Sequence, residues 1–385
     1  AAAVVGGLGF LLKEPCAPDS WGGSADDYVR LCYSDLGPLY YLRGFADGIV
    51  PYLQQYQGEY LEYPVLIGLW AWLISGITHL LGGSVGWFVH LTWATSLALL
   101  AGCVWIVDKW QPRRAWWIAL SPALLLTLGI NWDALAVLAS VAALWWWQRN
   151  RPALAAFAIG VGTAAKLYPA LLIVPMLFAL LDQRRWRDLA RTVAIALGTW
   201  SAINLPVFLA SPDGWWQFYR FSSTRGIDFG SPWLAASYLF GITVDTSTAN
   251  HIGLAMVALA IVAVFALRKH LDVPTAAFLL VAVFALVNKV YSPQYWLWLT
   301  PLAALAAIRL REFVIWQIVQ IGYFVGIWRF LLHYAEPSWS GGIDERTYGL
   351  VIAAHWVVSA GMVGIAAWRG KQAADRAETS GNLQP

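Results

Sequence analysis

The sequence predicts an all-α, polytopic membrane protein, a bundle of about 11 to 13 transmembrane helices with juxtamembrane helices in its first outer loop. Three observations predict the membrane class. The 385-residue chain is 59% hydrophobic and only 12% charged, against about 25% charged residues in a soluble domain. It holds 25 tryptophans, and indole settles well at the lipid–water boundary. Basic clusters punctuate long apolar runs, and nowhere does a stretch of soluble character intervene. Residues 1–371 therefore read as one transmembrane domain, and the polar segment 372–385 as a disordered cytoplasmic tail. The net charge of +3 decides little; the placement of the charges decides more.

The clusters are Lys109/Arg113/Arg114, Arg149/Arg151, Arg184/Arg185/Arg187/Arg191, Arg268/Lys269, Arg309/Arg311 and Arg369/Lys371/Arg376. They hold most of the 25 Lys and Arg residues and mark the cytoplasmic side by the positive-inside rule. Each apolar segment between two clusters must then contain an outward hairpin. The predicted crossings are 1–12, 86–107, 115–130, 132–147, 152–165, 169–181, 189–209, 250–267, 273–289, 294–308, 313–332 and 347–368. Ala1–Leu12 reads as the outer half of a membrane helix or the remnant of a signal peptide. Several crossings are shorter than the ~20 residues a full span needs. Short helices with polar tips are tolerated where the tip lines a watery cavity, so Lys166 is expected inside one. Val65–Leu81 is apolar enough to cross, but a crossing there reverses everything downstream, so a tilted or re-entrant helix is expected.

The outer side then receives Asn131-Trp132-Asp133, Lys166-Leu167-Tyr168-Pro169, the large loop 206–232, Asn288–Pro293 and His333–Gly349. It also receives the first outer loop, 13–64, which carries Asp35, Asp47, Glu59, Glu62 and several tyrosines. Within that loop Pro38–Ile49 has the spacing of an interfacial helix lying flat on the membrane. Two roles are open to Asp35. It can cap this helix, worth about 1 kcal/mol, which Ser34 could do instead. Or it can act as a general base for a hydroxyl nucleophile.

A lipid phosphate is a good leaving group if cations neutralise the charge that develops on it. Lys166, Lys289, Arg220 and Arg329 are the candidate donor-phosphate ligands, with Arg225 and Arg346 on the same side. Lys166 and Arg329 can equally snorkel to the interface. Asp133 can pair with one of these cations or contribute to acceptor or sugar binding. Glu62 can orient an acceptor or bond to backbone. Tyr33, Tyr63, Trp215 and their aromatic neighbours suit sugar rings or an interfacial belt. Cys16 and Cys32 can close a disulfide loop or stay reduced; Cys103 reads as a core residue. No His/Cys metal spacing, phosphate-cradling glycine loop or nucleotide fingerprint is present.

Seven short motifs carry a resemblance to a known group. They are Tyr33-Ser34-Asp35, Tyr41-x-Arg43-Gly44, Gly48-x-x-Pro51-Tyr52, Glu62-Tyr63-Pro64, Asn131-Trp132-Asp133, Lys166-Leu167-Tyr168-Pro169 and Tyr291-Ser292-Pro293-Gln294-Tyr295. In this order the chain resembles the GT-C superfamily of polyprenyl-phosphate-sugar glycosyltransferases, and within it glycosyltransferase family 87, the actinobacterial mannosyltransferase-like membrane proteins. The similarity runs from about Cys16 to Arg311.

The resemblance implies an inverting transferase of cell-envelope biosynthesis in the plasma membrane, working on the extracytoplasmic side. It implies a sugar, mannose in most of the family, moved from a polyprenyl phosphate to a hydroxyl of a glycan or glycolipid. Asp35 matches the catalytic base, and Lys166 falls near the lipid phosphate. No cofactor is expected; the lipid-linked sugar is a substrate. The bilayer, that donor and the acceptor are the partners, and no nucleic acid is expected. A lipid-linked-sugar flippase or a non-catalytic subunit of an envelope-synthesis complex are the rival functions.

Overall fold

A computed structural model describes residues 1–381, which form eighteen α-helices and no sheet. Helix α1 (Ala2–Lys13) leads into a polar segment carrying the short helices α2 (Ala25–Arg30) and α3 (Leu36–Leu42). The bundle continues with α4 (Val65–Leu80), α5 (Val85–Trp110), α6 (Pro112–Ala119), α7 (Pro122–Thr127), α8 (Ala134–Gln148) and α9 (Pro152–Ala165). Then come α10 (Ile173–Asp182), α11 (Trp186–Ala210), α12 (Pro212–Thr224), α13 (Pro232–Phe240) and α14 (Thr246–Leu267). The chain ends with α15 (Val273–Val287), α16 (Tyr295–Leu305), α17 (Leu310–Ala335) and α18 (Glu345–Gly381).

Helices α5, α11, α14, α17 and α18 are long and apolar enough to cross a membrane, and six shorter apolar helices join them. The protein is therefore an all-α, multi-pass membrane protein. Its core is built where α5, α8, α9 and α11 pack in succession and where α15, α17 and α18 close the other side. Helix α14 stays at the rim, with Leu259 and Val262 turned outward.

Local chemistry explains where the helices begin. Ser-Pro opens α7, α12 and α13, and in each the serine Oγ accepts the N–H three residues on, at 3.2 to 3.3 Å. Proline fills the first helical position, where its missing N–H costs nothing. The same device corrects one expectation. The single crossing over 115–130 is two short helices, because Ser121-Pro122 ends α6 and starts α7.

Three further expectations change. The interfacial helix over 38–49 ends at Leu42, since Gly44 adopts φ +68° and the chain turns there. The outer loop 206–232 is largely helical: α11 runs through Pro206 to Ala210, and α12 follows at once. The tail expected to be disordered from 372 is helical through Gly381, in keeping with its Ala-rich, charged sequence. Residues 382–385 lie outside the described residues. Helix α4, whose 16 residues rise about 24 Å, packs within the bundle against α5, α9 and α11.

The predicted basic clusters meet at one end. Arg185 Nη1 donates to Asn150 Oδ1 at 2.9 Å, tying the α10–α11 turn to the α8–α9 turn. Arg268 Nε donates to Asp182 Oδ1 at 2.9 Å, bringing the α14–α15 turn alongside. Asn131 and Lys166 flank the far ends of α8 and α9, whereas Arg149 and Arg151 flank the near ends. The fold thus has a basic end and an opposite end on which the polar tips gather.

Candidate active site

At that opposite end the polar tips enclose a cavity of about 990 Å³. One wall is the segment before α3. A disulfide joins Cys16 to Cys32, with Cα atoms 5.8 Å apart. Lys13 Nζ donates to the carbonyl of Tyr33 at 2.7 Å, pulling the same strand of chain onto α1. Gly37 lets the carbonyl of Ser20 approach so closely that a Cβ would lie 1.8 Å from its oxygen.

Asp35 stands at the head of α3 but does not cap it. Ser34 takes that part: its Oγ accepts the Leu36 N–H at 3.2 Å and donates to the Gly129 carbonyl at 2.6 Å. The Asp35 N–H donates to the Ile130 carbonyl at 3.0 Å. The carboxylate is thereby fixed in position while its oxygens remain available to the cavity it lines. Asn131 Nδ2 donates to Asp35 Oδ2 and to the Tyr63 hydroxyl, both at 2.8 Å. The Trp132 N–H donates to Asn131 Oδ1 at 2.7 Å, which orients the amide with its nitrogen towards Asp35. Tyr33 hydrogen-bonds to the carboxylate as well. Burial raises the Asp35 carboxyl above its ordinary range; the bonds from Asn131 and Tyr33 and the charge of Lys166 oppose that rise, and Asp133 adds to it.

Tyr63 is placed by the turn before α4, where the buried Tyr52 hydroxyl donates to the Pro64 carbonyl at 2.8 Å. Glu62 also lines the cavity, but Arg43 holds it with two bonds of 2.6 Å. Lys166 follows the last residue of α9 in extended backbone, before the short helical turn Tyr168–Leu172. Its Nζ reaches the cavity and lies 3.2 Å from Asp133 Oδ1. Asp133 is 1% exposed and accepts a bond from Trp298 Nε1 at 2.8 Å.

Across the cavity, the segment after α12 is stitched to the segment after α15. The Asp228 N–H donates to the Lys289 carbonyl at 2.9 Å, and the Tyr291 N–H to the Phe229 carbonyl at 2.8 Å. Arg225 and Lys289 both line the wall there. Asp228 holds Arg225 at 2.7 Å, and Lys289 Nζ donates to the Ser223 carbonyl at 3.0 Å. Burial first, and then the charge of Arg225, press the Lys289 ammonium below its usual range. Two cations kept close enough to repel suit an anion. Between these polar regions the lining is apolar, with Phe221, Leu254, Val257, Phe284 and Leu331. A polar wall with Asp35 and an Arg43-held Glu62, facing cations and an apolar arm, can hold a molecule that is part sugar, part phosphate and part hydrocarbon.

The model of glycosyltransferase family 87 matches residues 60–288, more than half of the chain. The chain belongs to glycosyltransferase family 87. No curated protein matches it. Glu62, Tyr63, Asn131, Asp133, Lys166 and Arg225 fall within the span matched to family 87, while Asp35, Lys289 and Arg329 lie outside it.

This family 87 glycosyltransferase brings together Asp35, Tyr33, Tyr63, Glu62, Lys166 and Lys289 on one cavity and leaves four candidates apart. Asp133 stands behind Lys166 as its counter-ion and is not on the cavity wall. Arg220 is exposed on α12, away from the lining. Arg329 is turned to the loop after α17, where a Cβ on Gly341 would come within 3.1 Å of its Nη1. Trp215 packs against Trp200 and Phe208 and donates through Nε1 to Asn204 Oδ1 at 2.9 Å. Arg220 and Arg329 sit on helices whose rotation decides which way each side chain points. Two polar residues of the lining, Arg225 and Asn131, were not assigned a role from the sequence. They lie close in sequence to the candidates Arg220 and Asp133, Arg225 just past the end of α12 at Thr224 and Asn131 just before α8.

Proposed function

We propose that this glycosyltransferase moves a sugar from a polyprenyl phosphate to a hydroxyl group of an extracytoplasmic glycan or glycolipid, with Asp35 as general base. The observation that carries the reading is the Asp35 carboxylate: free of the helix cap, oriented by Asn131, and on the wall of a cavity with an apolar arm. Its raised proton affinity suits a base.

In the proposed step the acceptor oxygen attacks the anomeric carbon and its proton passes to Asp35. The bond from that carbon to the phosphate oxygen breaks on the opposite face, and polyprenyl phosphate leaves. The configuration inverts. Arg225 and Lys289 neutralise the phosphate: they line the same wall of the cavity, and Lys289 is bonded to a backbone carbonyl and not to a carboxylate. Lys166 then positions the Tyr63 ring, 5.3 Å from its Nζ, beside the sugar. The prenyl chain lies along Leu254, Val257 and Phe284. The collected basic turns at the other end favour an extracytoplasmic cavity. Mannose as the sugar rests on the family resemblance.

Product formation tests the reading. Purified protein in detergent, given radiolabelled polyprenyl-phosphate-mannose and a mannan acceptor, is expected to release polyprenyl phosphate and label the acceptor. A lipid-linked-sugar flippase makes no product in detergent. Repeated absence of label with mannosyl, glucosyl and arabinosyl donors would overturn the proposal.

A further inference from the structure

The basic end of the bundle has a hollow of its own. It lies between the start of α9 and the start of α11, holds about 310 Å³, and is lined by Arg151, Arg185, Arg191 and Thr192. Arg151 precedes α9 and Lys166 follows it, so this hollow and the Asp35 cavity sit at opposite ends of that helix.

Its charge is unbalanced. Arg185 is paired with Asp188 at 2.8 Å and donates to Asn150 Oδ1. Among the described residues Arg151 and Arg191 form no ion pair, and Asp188 is the one carboxylate on the wall. Neither α9 nor α11 has a side-chain cap at its N-terminus, so free N–H groups add to the positive potential.

Thr192 supplies the independent sign of a ligand. It is 1% exposed, it lines the hollow, and its hydroxyl has no hydrogen-bond partner. A buried hydroxyl left unpaired is costly, and an anion's oxygen would satisfy it. Below the hollow the surface is apolar and outward-facing: Leu154, Phe157 and Leu197 are exposed, and Trp186 is 60% exposed beside Arg185.

We propose that this hollow binds a phosphate anion, carried by a phospholipid headgroup or by a small soluble phosphate. The guanidinium forks of Arg151 and Arg191 match phosphate oxygens in pairs, and the Thr192 hydroxyl donates a further bond. The exposed apolar side chains beneath favour the lipid, whose acyl chains would run along α9 and α11. The site is independent of the proposed sugar transfer and of Asp35.

Native mass spectrometry and thermal unfolding of the full chain in neutral detergent test it. The probes are phosphatidylglycerol, phosphatidylcholine of the same acyl chains, and inorganic phosphate. Wild type is expected to retain and be stabilised by phosphatidylglycerol over phosphatidylcholine. The double variant Arg151→Gln/Arg191→Gln should bind it on the order of tenfold more weakly. Thr192→Val should show a smaller loss and Arg220→Gln, exposed on α12, none. Circular dichroism of each variant checks that the helices remain. Binding of inorganic phosphate with the same variant sensitivity, without preference between the lipids, would assign the site to a soluble phosphate. Equal behaviour of wild type and double variant towards every probe would overturn the proposal.

Discussion

Asn131 Nδ2 lies 2.8 Å from Asp35 Oδ2, a bond that spans 96 positions of sequence. It favours the ionised carboxylate against the burial that raises its proton affinity. The sign of a pH effect follows. A base works ionised, so the rate should fall as pH drops through a value above the ordinary aspartate 3.8. Asn131→Leu removes an opposing contribution, and the acid limb of kcat/KM should move to higher pH. A limb that stays in place would separate Asn131 from the carboxylate's titration.

The Lys166–Asp133 pair is 14% and 1% exposed, and each partner is the other's neutralising charge. Asp133→Asn should therefore destabilise the protein by about 3 kcal/mol, the scale for breaking a buried pair. Adding Lys166→Met should restore part of that loss. Denaturant unfolding in detergent measures both, and a double variant no more stable than the single one would contradict the pairing.

Donor binding separates the cations. Arg225→Gln and Lys289→Gln should each raise the KM for the lipid-linked sugar by about tenfold. Arg220→Gln and Arg329→Gln, away from the cavity lining, should leave it within about twofold. The opposite ranking would place the phosphate elsewhere.

Loss of the disulfide should loosen the wall that carries Asp35. Cys16→Ser/Cys32→Ser closes no loop, and a loop of this size is worth about 3 kcal/mol. Faster amide exchange over 14–36, with turnover reduced, is the expected result. Unchanged exchange there would show that Lys13 and the close contact at Gly37 hold the segment unaided.

These relationships were unequally legible in the sequence. The basic clusters announced one end of the bundle because charge is expensive in a bilayer wherever it falls. The gathering of Asp35, Tyr63 and Lys166 followed from that sidedness alone. Helix ends were harder. Ser121-Pro122 reads as an ordinary interruption of an apolar run, and Gly44 as one glycine among 33. Both redirect the chain through backbone geometry, which composition does not display. Rotation about a helix was hardest of all: Arg220 and Arg225 are five residues apart on and after α12, and only the second reaches the cavity.

Rescue of neither folding nor binding bears on the central claim as directly as the chemistry of one side chain. Asp35→Asn preserves the shape of the wall and removes a buried charge whose proton affinity the fold raises. Its thermal stability at neutral pH should equal or exceed wild type, since the penalty of the ionised form is present only above the raised titration point. Single-turnover sugar transfer at saturating donor and acceptor is the decisive measurement. A fall of about 10²- to 10⁴-fold in the folded variant is the predicted result, and transfer at the wild-type rate would contradict the account.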